Sequence, residues 1–264
     1  MPKVSVIMGI YNTKSKTYLK KSIESILYQT FNDFELIICD DGSTNECMKW
    51  VKEICRNDNR VILIKNEQNK GLAFTLNRCL KIAKGDYIAR MDDDDFSHLD
   101  RFEKQIDYLT KNADVDLVST NINLFDSNGI YNSLEYPEVI ENRHFLFNSP
   151  IVHPSIMAKK EAFKLVDGYN QSKWAVRVED YDLFMRMKSK GIKMKVIQEI
   201  LLDYRDDREN SKRRKKYKYR INEFIIRIKG FYNLKLMPIG LLYSIKPLIV
   251  GLLPISIIRK IRGR

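Results

Sequence analysis

Four consecutive carboxylates, Asp92-Asp93-Asp94-Asp95, follow an apolar run that ends at Met91. Charges of one sign packed this closely raise one another's proton affinity, and they cost stability unless a cation offsets them. Asp92 and Asp94 can turn their oxygens toward one point. Hard oxygen donors of this kind suit Mg²⁺ or Mn²⁺ bridging to a diphosphate; the bland alternative is a solvated acidic turn. A second acidic strand end is Asp40-Asp41-Gly42-Ser43. A carboxylate there can accept hydrogen bonds from a base or ribose, or cap the next helix. Tyr11 ends the first apolar run with a flat face on which a base could stack, although a tyrosine there can equally be packing. Glu179-Asp180 opens a helical pattern, where a carboxylate either caps the helix or takes a proton from a hydroxyl. His153 is one of three histidines and is followed by Pro154 and Ser155, a setting that suits a structural or hydrogen-bonding ring better than a base.

These residues need elements to position them. Lys3 to Ile10 is a β-branched strand that leads into Tyr11-Asn12-Thr13. Leu19, Ile23, Ile26 and Leu27 recur at helical spacing. Phe34 to Cys39, Arg60 to Ile64 and Asp86 to Met91 read as further strands, with helices at Asn45 to Arg56 and Gly71 to Ala83. Such strand-then-helix units predict a mostly parallel sheet with helices on both faces and right-handed crossovers. In an open sheet of this class, ligands bind beyond the carboxyl ends of the strands, where Tyr11, Asp41 and Asp92 to Asp94 fall. Beyond this come a helix from Arg101, a strand pair over Val115 to Phe125 with a turn at Asp126 to Gly129, a strand at Ser155 to Lys159, a helix at Asp180 to Lys190 and strand over Met194 to Tyr204.

The chain of 264 residues suffices for one large domain with an appendage. Its formal charge of +12 is unevenly spread: residues 1–207 carry −2 and residues 208–264 carry +14. That asymmetry marks a local partner surface rather than a generally basic protein. Cys39, Cys47, Cys55 and Cys79 make no CxxC pair and no metal pattern, which fits buried thiols in a reducing compartment. The opening MPKVSVIMGIYN is too short and too β-like for a secretory leader.

In this order and spacing, VSVIMGIYN, KSIESILYQT, FELIICDDGST, NKGLAFTLN, GDYIARMDDDD and VEDYDLFMRM resemble glycosyltransferase family 2, the inverting enzymes of the GT-A fold, from residue 3 to about 205. The resemblance implies a catalytic domain over 1–207, with a nucleotide-sugar half over about 1–95 and an acceptor half over about 96–207. It implies a UDP-sugar donor, with Tyr11 stacked near the uracil and Asp41 hydrogen-bonded to it. Lys70 and Gly71 match the loop between the nucleotide halves. Arg90 and Asp92 would line the nucleotide and sugar site, Asp93 would lie near the ribose, and Asp94 would contact Mn²⁺ or Mg²⁺ on the diphosphate. Asp180 would be the catalytic base with Glu179 beside it. His153 to Ser155 match a turn that borders the acceptor in branches making bacterial surface polysaccharides, so a lipid-linked or oligosaccharide acceptor is implied. Many relatives carry Tyr-Arg-x-His after the last core strand. Here Tyr204-Arg205-Asp206-Asp207 puts Asp207 where that histidine would be, as an alternative metal ligand, next to Arg205 at the donor site.

A pyrophosphorylase on the same fold would open with a Gly-rich basic loop, which GIYNTKSK is not. The RRKKYKYR run raises nucleic-acid binding, but the near-neutral body has two acidic strand ends that a phosphate backbone would avoid. A sugar-binding scaffold without activity would not need every carboxylate. Residues 208–264 read as basic, amphipathic helices. Lys212 to Arg220 would meet anionic lipid, and Leu236 to Ile258 would lie in the interface, because Pro238, Pro247, Pro254 and Lys246 disfavour a straight span. Such a tail predicts a peripheral, monotopic enzyme on the cytoplasmic face of the bacterial inner membrane. Packing of the same apolar residues against a second copy, as a homodimer, is the other use of that surface.

Overall fold

The structure, a computed structural model, describes residues 1–206 and 217–252. Strand β1 (Val4–Ile10) runs parallel to β2 (Phe34–Asp40) on one side and β4 (Tyr87–Arg90) on the other, and β2 pairs in parallel with β3 (Val61–Lys65). Helices α1 (Lys16–Leu27), α2 (Cys47–Ile54) and α3 (Leu72–Ile82) make the crossovers between them. The β-branched and apolar residues of β1 and β2 are buried on both faces, as a parallel sheet covered by helices requires. Val4, Val6 and Met8 of β1 enter one core with Leu19, Ile23 and Val51, whereas Ile7 enters another with Leu76 and Cys79 of α3. All four cysteines are buried free thiols.

The second half is mixed. After the short β5 (Phe96–Ser97) and α4 (Arg101–Lys111) comes a hairpin of β6 (Leu117–Asp126) and β7 (Gly129–Leu134). Next come a 3-10 turn at His153–Ser155, β8 (Met157–Lys159), α5 (Lys160–Lys164), α6 (Glu179–Ser189) and β9 (Met194–Arg205). β8 is antiparallel to both β4 and β6, β9 runs parallel to β6, and β5 closes the sheet antiparallel to β9. The order is β3-β2-β1-β4-β8-β6-β9-β5.

The basic sequence after residue 207 contributes to this core. Helix α7 (Tyr217–Asn233) buries Ile226 and Phe231 in the cluster that holds Leu183, Phe184 and Met185 of α6. A side chain at Gly230 would overlap Met185, so glycine lets the two helices close. Arg227, 1% exposed, donates to the carbonyls of Leu146 and Phe147 at 3.0 and 3.2 Å and pairs with Glu223 at 3.0 Å. Helix α8 (Ile239–Leu252) folds back on α7 with Pro247 inside it. Proline has no N–H for the carbonyl one turn earlier, and Arg227 Nη1 approaches that carbonyl, on Tyr243, at 3.4 Å. No helix among the described residues is long and apolar enough to cross a membrane.

Candidate active site

The carboxyl ends of β2, β1 and β4 lie side by side, so chain segments far apart in sequence meet at one edge. Asp41 is buried at the end of β2. Its Oδ1 accepts from the Lys70 N–H at 2.8 Å and from Asn66 Nδ2 at 2.7 Å, while Oδ2 accepts from the Gly71 N–H at 2.9 Å. These bonds pin the turn into α3, where Gly71 has φ +91°, a conformation that favours glycine. Asp41 caps no helix: α2 starts at Glu46 without a side-chain cap. Tyr11 is half exposed at the end of β1. The next residue, Asn12, accepts from the Thr44 N–H at 2.8 Å and donates its own N–H to Ser43 at 3.0 Å, which ties the first loop to the second.

The four aspartates after β4 diverge. Asp92 accepts a charge-assisted hydrogen bond from Arg90, and its carbonyl accepts from Ser22 at 2.6 Å. Asp93 accepts from the Thr13 hydroxyl. Asp94 faces Arg205 Nη1 at 3.4 Å, and Asp95, 1% exposed, accepts from the Arg205 N–H at 2.8 Å. The Arg205 guanidinium lies 4.1 Å from the centre of the Tyr18 ring. Burial, with the neighbouring charge of Asp92, pushes the Asp93 carboxyl up to about 6. Burial, with Asp93 and Asp92, pushes Asp94 up to about 7. The run therefore resists full ionisation, because Arg90 and Arg205 only partly offset carboxylates packed this closely.

Full ionisation of the run would need a further positive charge beside it. No three histidine, cysteine, aspartate or glutamate side chains gather as a metal cage among the described residues. Asp92 and Asp94 offer carboxylate oxygens, and Mg²⁺-type ions are commonly held by one or two carboxylates plus substrate phosphates. Asp207, the further ligand expected from sequence, lies outside the described residues.

The start of α6 lies within electrostatic reach of the acidic run, since the Asp92 charge acts on Asp180. Glu179 and Asp180 are half-buried, and no side chain caps the helix at Val178. Asp180 Oδ1 accepts from the Tyr181 N–H at 2.8 Å. Burial raises both carboxyls, and Asp180 adds to the effect on Glu179; the Arg90 charge acts in the opposite sense on Asp180. Glu179 Oε2 is buried without a hydrogen-bond partner among the described residues. Arg90, 2% exposed, acts electrostatically on Asp92, Asp180 and His153, so it joins the two acidic centres. His153 shares a 2.7 Å hydrogen bond with the Tyr169 hydroxyl, and burial with the Arg90 charge holds its proton affinity well below the ordinary histidine range. It stays a neutral hydrogen-bonding ring, as its sequence setting suggests.

Thus the sequence-predicted residues fall into a group at the ends of β1 and β2 and the turn into α3 (Tyr11, Asp41, Lys70, Gly71), an acidic run after β4 met by Arg205 (Asp92, Asp93, Asp94), and a group at the His153 turn and the start of α6 (His153, Glu179, Asp180), with Arg90 acting electrostatically on the last two. Sequence reasoning missed the parts that fix them. Thr13 reaches Asp93. Asn77 exchanges two 2.8 Å hydrogen bonds with the backbone of Tyr169, 92 residues away, and so ties α3 to the loop that orients His153. Arg101, fully buried on α4, donates to the Pro154 carbonyl at 2.8 Å. A polar residue in mid-helix, and an arginine on an otherwise apolar helix face, were the available signals.

The family profile described as "Glycosyl transferase family 2" matches residues 5–166. EpsE of Bacillus subtilis (strain 168), which carries a glycosyltransferase name, is 38% identical over 260 residues, covering 98% of this chain and 92% of that one. The Escherichia coli UDP-Gal:alpha-D-GlcNAc-diphosphoundecaprenol beta-1,3-galactosyltransferase is 33% identical over 229 residues, 84% of this chain and 81% of that one. Among solved structures, S. aureus TarS 1–349 in complex with UDP-GlcNAc superimposes with a TM-score of 0.70 at 18% identity, covering 95% of this chain and 71% of that one. The Pyrobaculum calidifontis mannosyltransferase PcManGT, in complex with GDP-Man and Mn²⁺, does so with a TM-score of 0.65 at 16% identity, covering 99% and 79%. With its α/β GT-A architecture, its ordered motifs and these relatives, the chain belongs to glycosyltransferase family 2.

Proposed function

We propose that this protein transfers a hexosyl or N-acetylhexosaminyl unit from a UDP-sugar to a hydroxyl of a lipid-linked glycan, with inversion, during bacterial surface-polysaccharide assembly. The observation that carries this reading is the pairing of two acidic centres, Asp92 to Asp94 and Glu179–Asp180, with Arg90 between them. A diphosphate needs charge neutralisation on one side of the sugar, and an attacking hydroxyl needs a proton acceptor on the other. Asp180, raised in proton affinity by burial, suits the acceptor role because a base works best near the operating pH. With leaving group and base on opposite faces, a single displacement needs no covalent sugar–enzyme intermediate. Tyr11 and the Asp41–Lys70–Gly71 turn would receive the uracil and ribose. Arg90 and His153 would hold the transferred sugar and the acceptor in line.

Asp92 and Asp94, with Asp207 as a further candidate, would hold Mn²⁺ or Mg²⁺, which when bound neutralises charge on the departing diphosphate. The Mn²⁺ that accompanies GDP-Man in the mannosyltransferase complex supports the choice of ion. UDP-GlcNAc in the TarS complex and the undecaprenol-linked acceptor in the name of the Escherichia coli relative support donor and acceptor. The +14 charge of residues 208–264 supports a peripheral position on the cytoplasmic face, where UDP-sugars meet membrane-confined acceptors. The test is UDP release from a panel of UDP-, GDP- and dTDP-sugars, with Mn²⁺, Mg²⁺ or EDTA. The expected result is UDP-sugar turnover that EDTA abolishes. Preference for a GDP- or dTDP-sugar would refute the base contacts assigned to Tyr11 and Asp41, and turnover unaffected by EDTA would refute the metal.

A further inference from the structure

Helix α8 packs the wrong way round for a water-facing helix. Its inward face is Gly240, Ser244 and Pro247, all buried. A Cβ on Gly240 would come within 2.8 Å of Phe231 Cβ, and one on Gly251 within 2.9 Å of Arg220 Cγ, so these small residues let α7 close against the helix. Its large apolar side chains turn outward instead. Leu241, Leu242, Ile245, Ile249 and Leu252 are exposed at helical spacing, Leu242 and Leu252 by 71% and 74%. A contiguous exposed apolar face of this kind marks a partner or a membrane.

Charge selects between the two. From residue 224 to 264 the chain has eight lysines and arginines and no aspartate or glutamate. Lys229, Lys235 and Lys246 are exposed around the α7–α8 hairpin. Two copies meeting through this face would bring two +14 segments together, whereas an anionic surface would be attracted to each. Length selects the mode. The 14 described residues of α8 span roughly 21 Å at ~1.5 Å per residue against a ~30 Å hydrocarbon layer, and Lys246 and Pro247 in their middle disfavour insertion across it, so the described helix fits a place in the interface. At the turn between the helices, a groove lined by Tyr232, Asn233, Lys235 and Met237 combines an amphipathic aromatic ring with an ammonium, the chemistry found at headgroup level.

We propose that the outer face of α8 is a lipid-docking surface that seats the enzyme on an anionic bilayer. The inference rests on the membrane-side placement proposed above and names the surface that achieves it. It also sets an orientation. α8 is bound to α7, Gly230 of α7 closes on Met185 of α6, and α6 begins at Glu179–Asp180. A bilayer beneath α8 is therefore joined through two packed helices to the carboxylates that face the acceptor.

The test uses the full chain and a variant with Leu242→Ser and Ile249→Ser, both at exposed positions. Flotation with phosphatidylglycerol–phosphatidylethanolamine vesicles, and with phosphatidylcholine alone, reads lipid binding. Sedimentation velocity reads oligomeric state, and UDP release from the donor sugar reads the site. The expected result is a native chain that floats with the anionic vesicles, and a variant whose vesicle affinity falls about 100-fold, the scale of two partly inserted aliphatic side chains, with UDP release unchanged. Absence of flotation of the native chain, or equal flotation of chain and variant, would overturn the proposal. So would a native dimer that the variant dissociates without vesicle binding, which assigns the face to a second copy. UDP release in the absence of flotation leaves the transferase reading standing, and flotation without UDP release defeats that reading alone.

Discussion

Replacing Asp180 with asparagine removes one charge and almost no volume. In the native protein the Asp180 carboxylate accepts the Tyr181 N–H at 2.8 Å, and the asparagine oxygen can keep that bond, so the start of α6 should hold its geometry. Burial raises the native carboxyl above the ordinary carboxylate range of ~3.9. A carboxyl whose proton affinity rises on folding makes the folded state less stable once it is ionised, and this contribution is relieved as pH falls through the folded value. Asparagine removes that contribution, so the variant should melt at the native temperature or above it at neutral pH. Its catalytic loss should be large, because a positioned base contributes roughly 10²–10⁴-fold, or about 3–5 kcal/mol of barrier. Native turnover should show an acid limb above the ordinary carboxylate range, where the base becomes protonated, and the variant should lack it. The assay is UDP release with and without acceptor across pH, together with calorimetric UDP-sugar affinity, which should not change. Near-native turnover, or a loss of donor binding that accounts for the whole defect, would refute the assignment of Asp180.

Arg227→Ala should destabilise the fold by about 3–5 kcal/mol, the cost of removing one partner from a buried charged network, and lower the melting temperature by roughly 10 °C; a loss below about 1 kcal/mol in urea unfolding would show that α7 is a dispensable appendage. Gly85→Ala should cost about 1–3 kcal/mol by overpacking, since its Cβ would lie 2.6 Å from the Ser5 backbone nitrogen, where the Gly85 N–H and Glu35 both bond the Ser5 hydroxyl; a native melting profile would refute that close approach.

The first half of the sheet was legible because each of its strands is rich in apolar residues and ends abruptly at polar ones. β1, β2, β3 and β4 each fall within one residue, at either end, of the bounds read from sequence. The second half was less so. The strand read at Ser155 to Lys159 is β8, trimmed to Met157–Lys159 by the 3-10 turn before it, but its direction carries no sequence signal: it inserts antiparallel between β4 and β6 and turns a parallel sheet into a mixed one. Strand β6 runs unbroken to Asp126 and finds its hairpin partner in β7, beyond the turn, where the sequence shows alternating polarity too weak to read. Beyond residue 207, dense positive charge dominates the composition and hides the stripe that matters for packing. Ile226, Gly230 and Phe231 are buried although Arg227, Lys229 and Arg220 surround them in sequence. Arginine with its guanidinium on carbonyls and its stem in a core cannot be told from a solvated arginine by composition.

The site residues show the same division between type and partner. A run of four aspartates announces an unusual electrostatic demand, but not how each is used. In the fold, Asp95 anchors the β9 backbone, Asp93 takes a hydroxyl from the β1 loop, and Asp92 engages Arg90, while Asp94, partly buried with 41% of its side chain exposed, is met at 3.4 Å by Arg205. One motif thus serves two purposes. Its buried members fix three segments, β1, β4 and β9, around a common point, while its outer members keep carboxylate oxygen facing the crevice. Arg90 carries a similar double duty: its guanidinium is buried at the end of β4, with Nε and Nη1 unpartnered among the described residues, where the charges of Asp92 and Asp95 hold it protonated, and its own charge eases ionisation of Asp180. One buried cation thus acts on both acidic centres, through a direct hydrogen bond to Asp92 and through its field at Asp180, so a change at Arg90 would alter the ionisation of both.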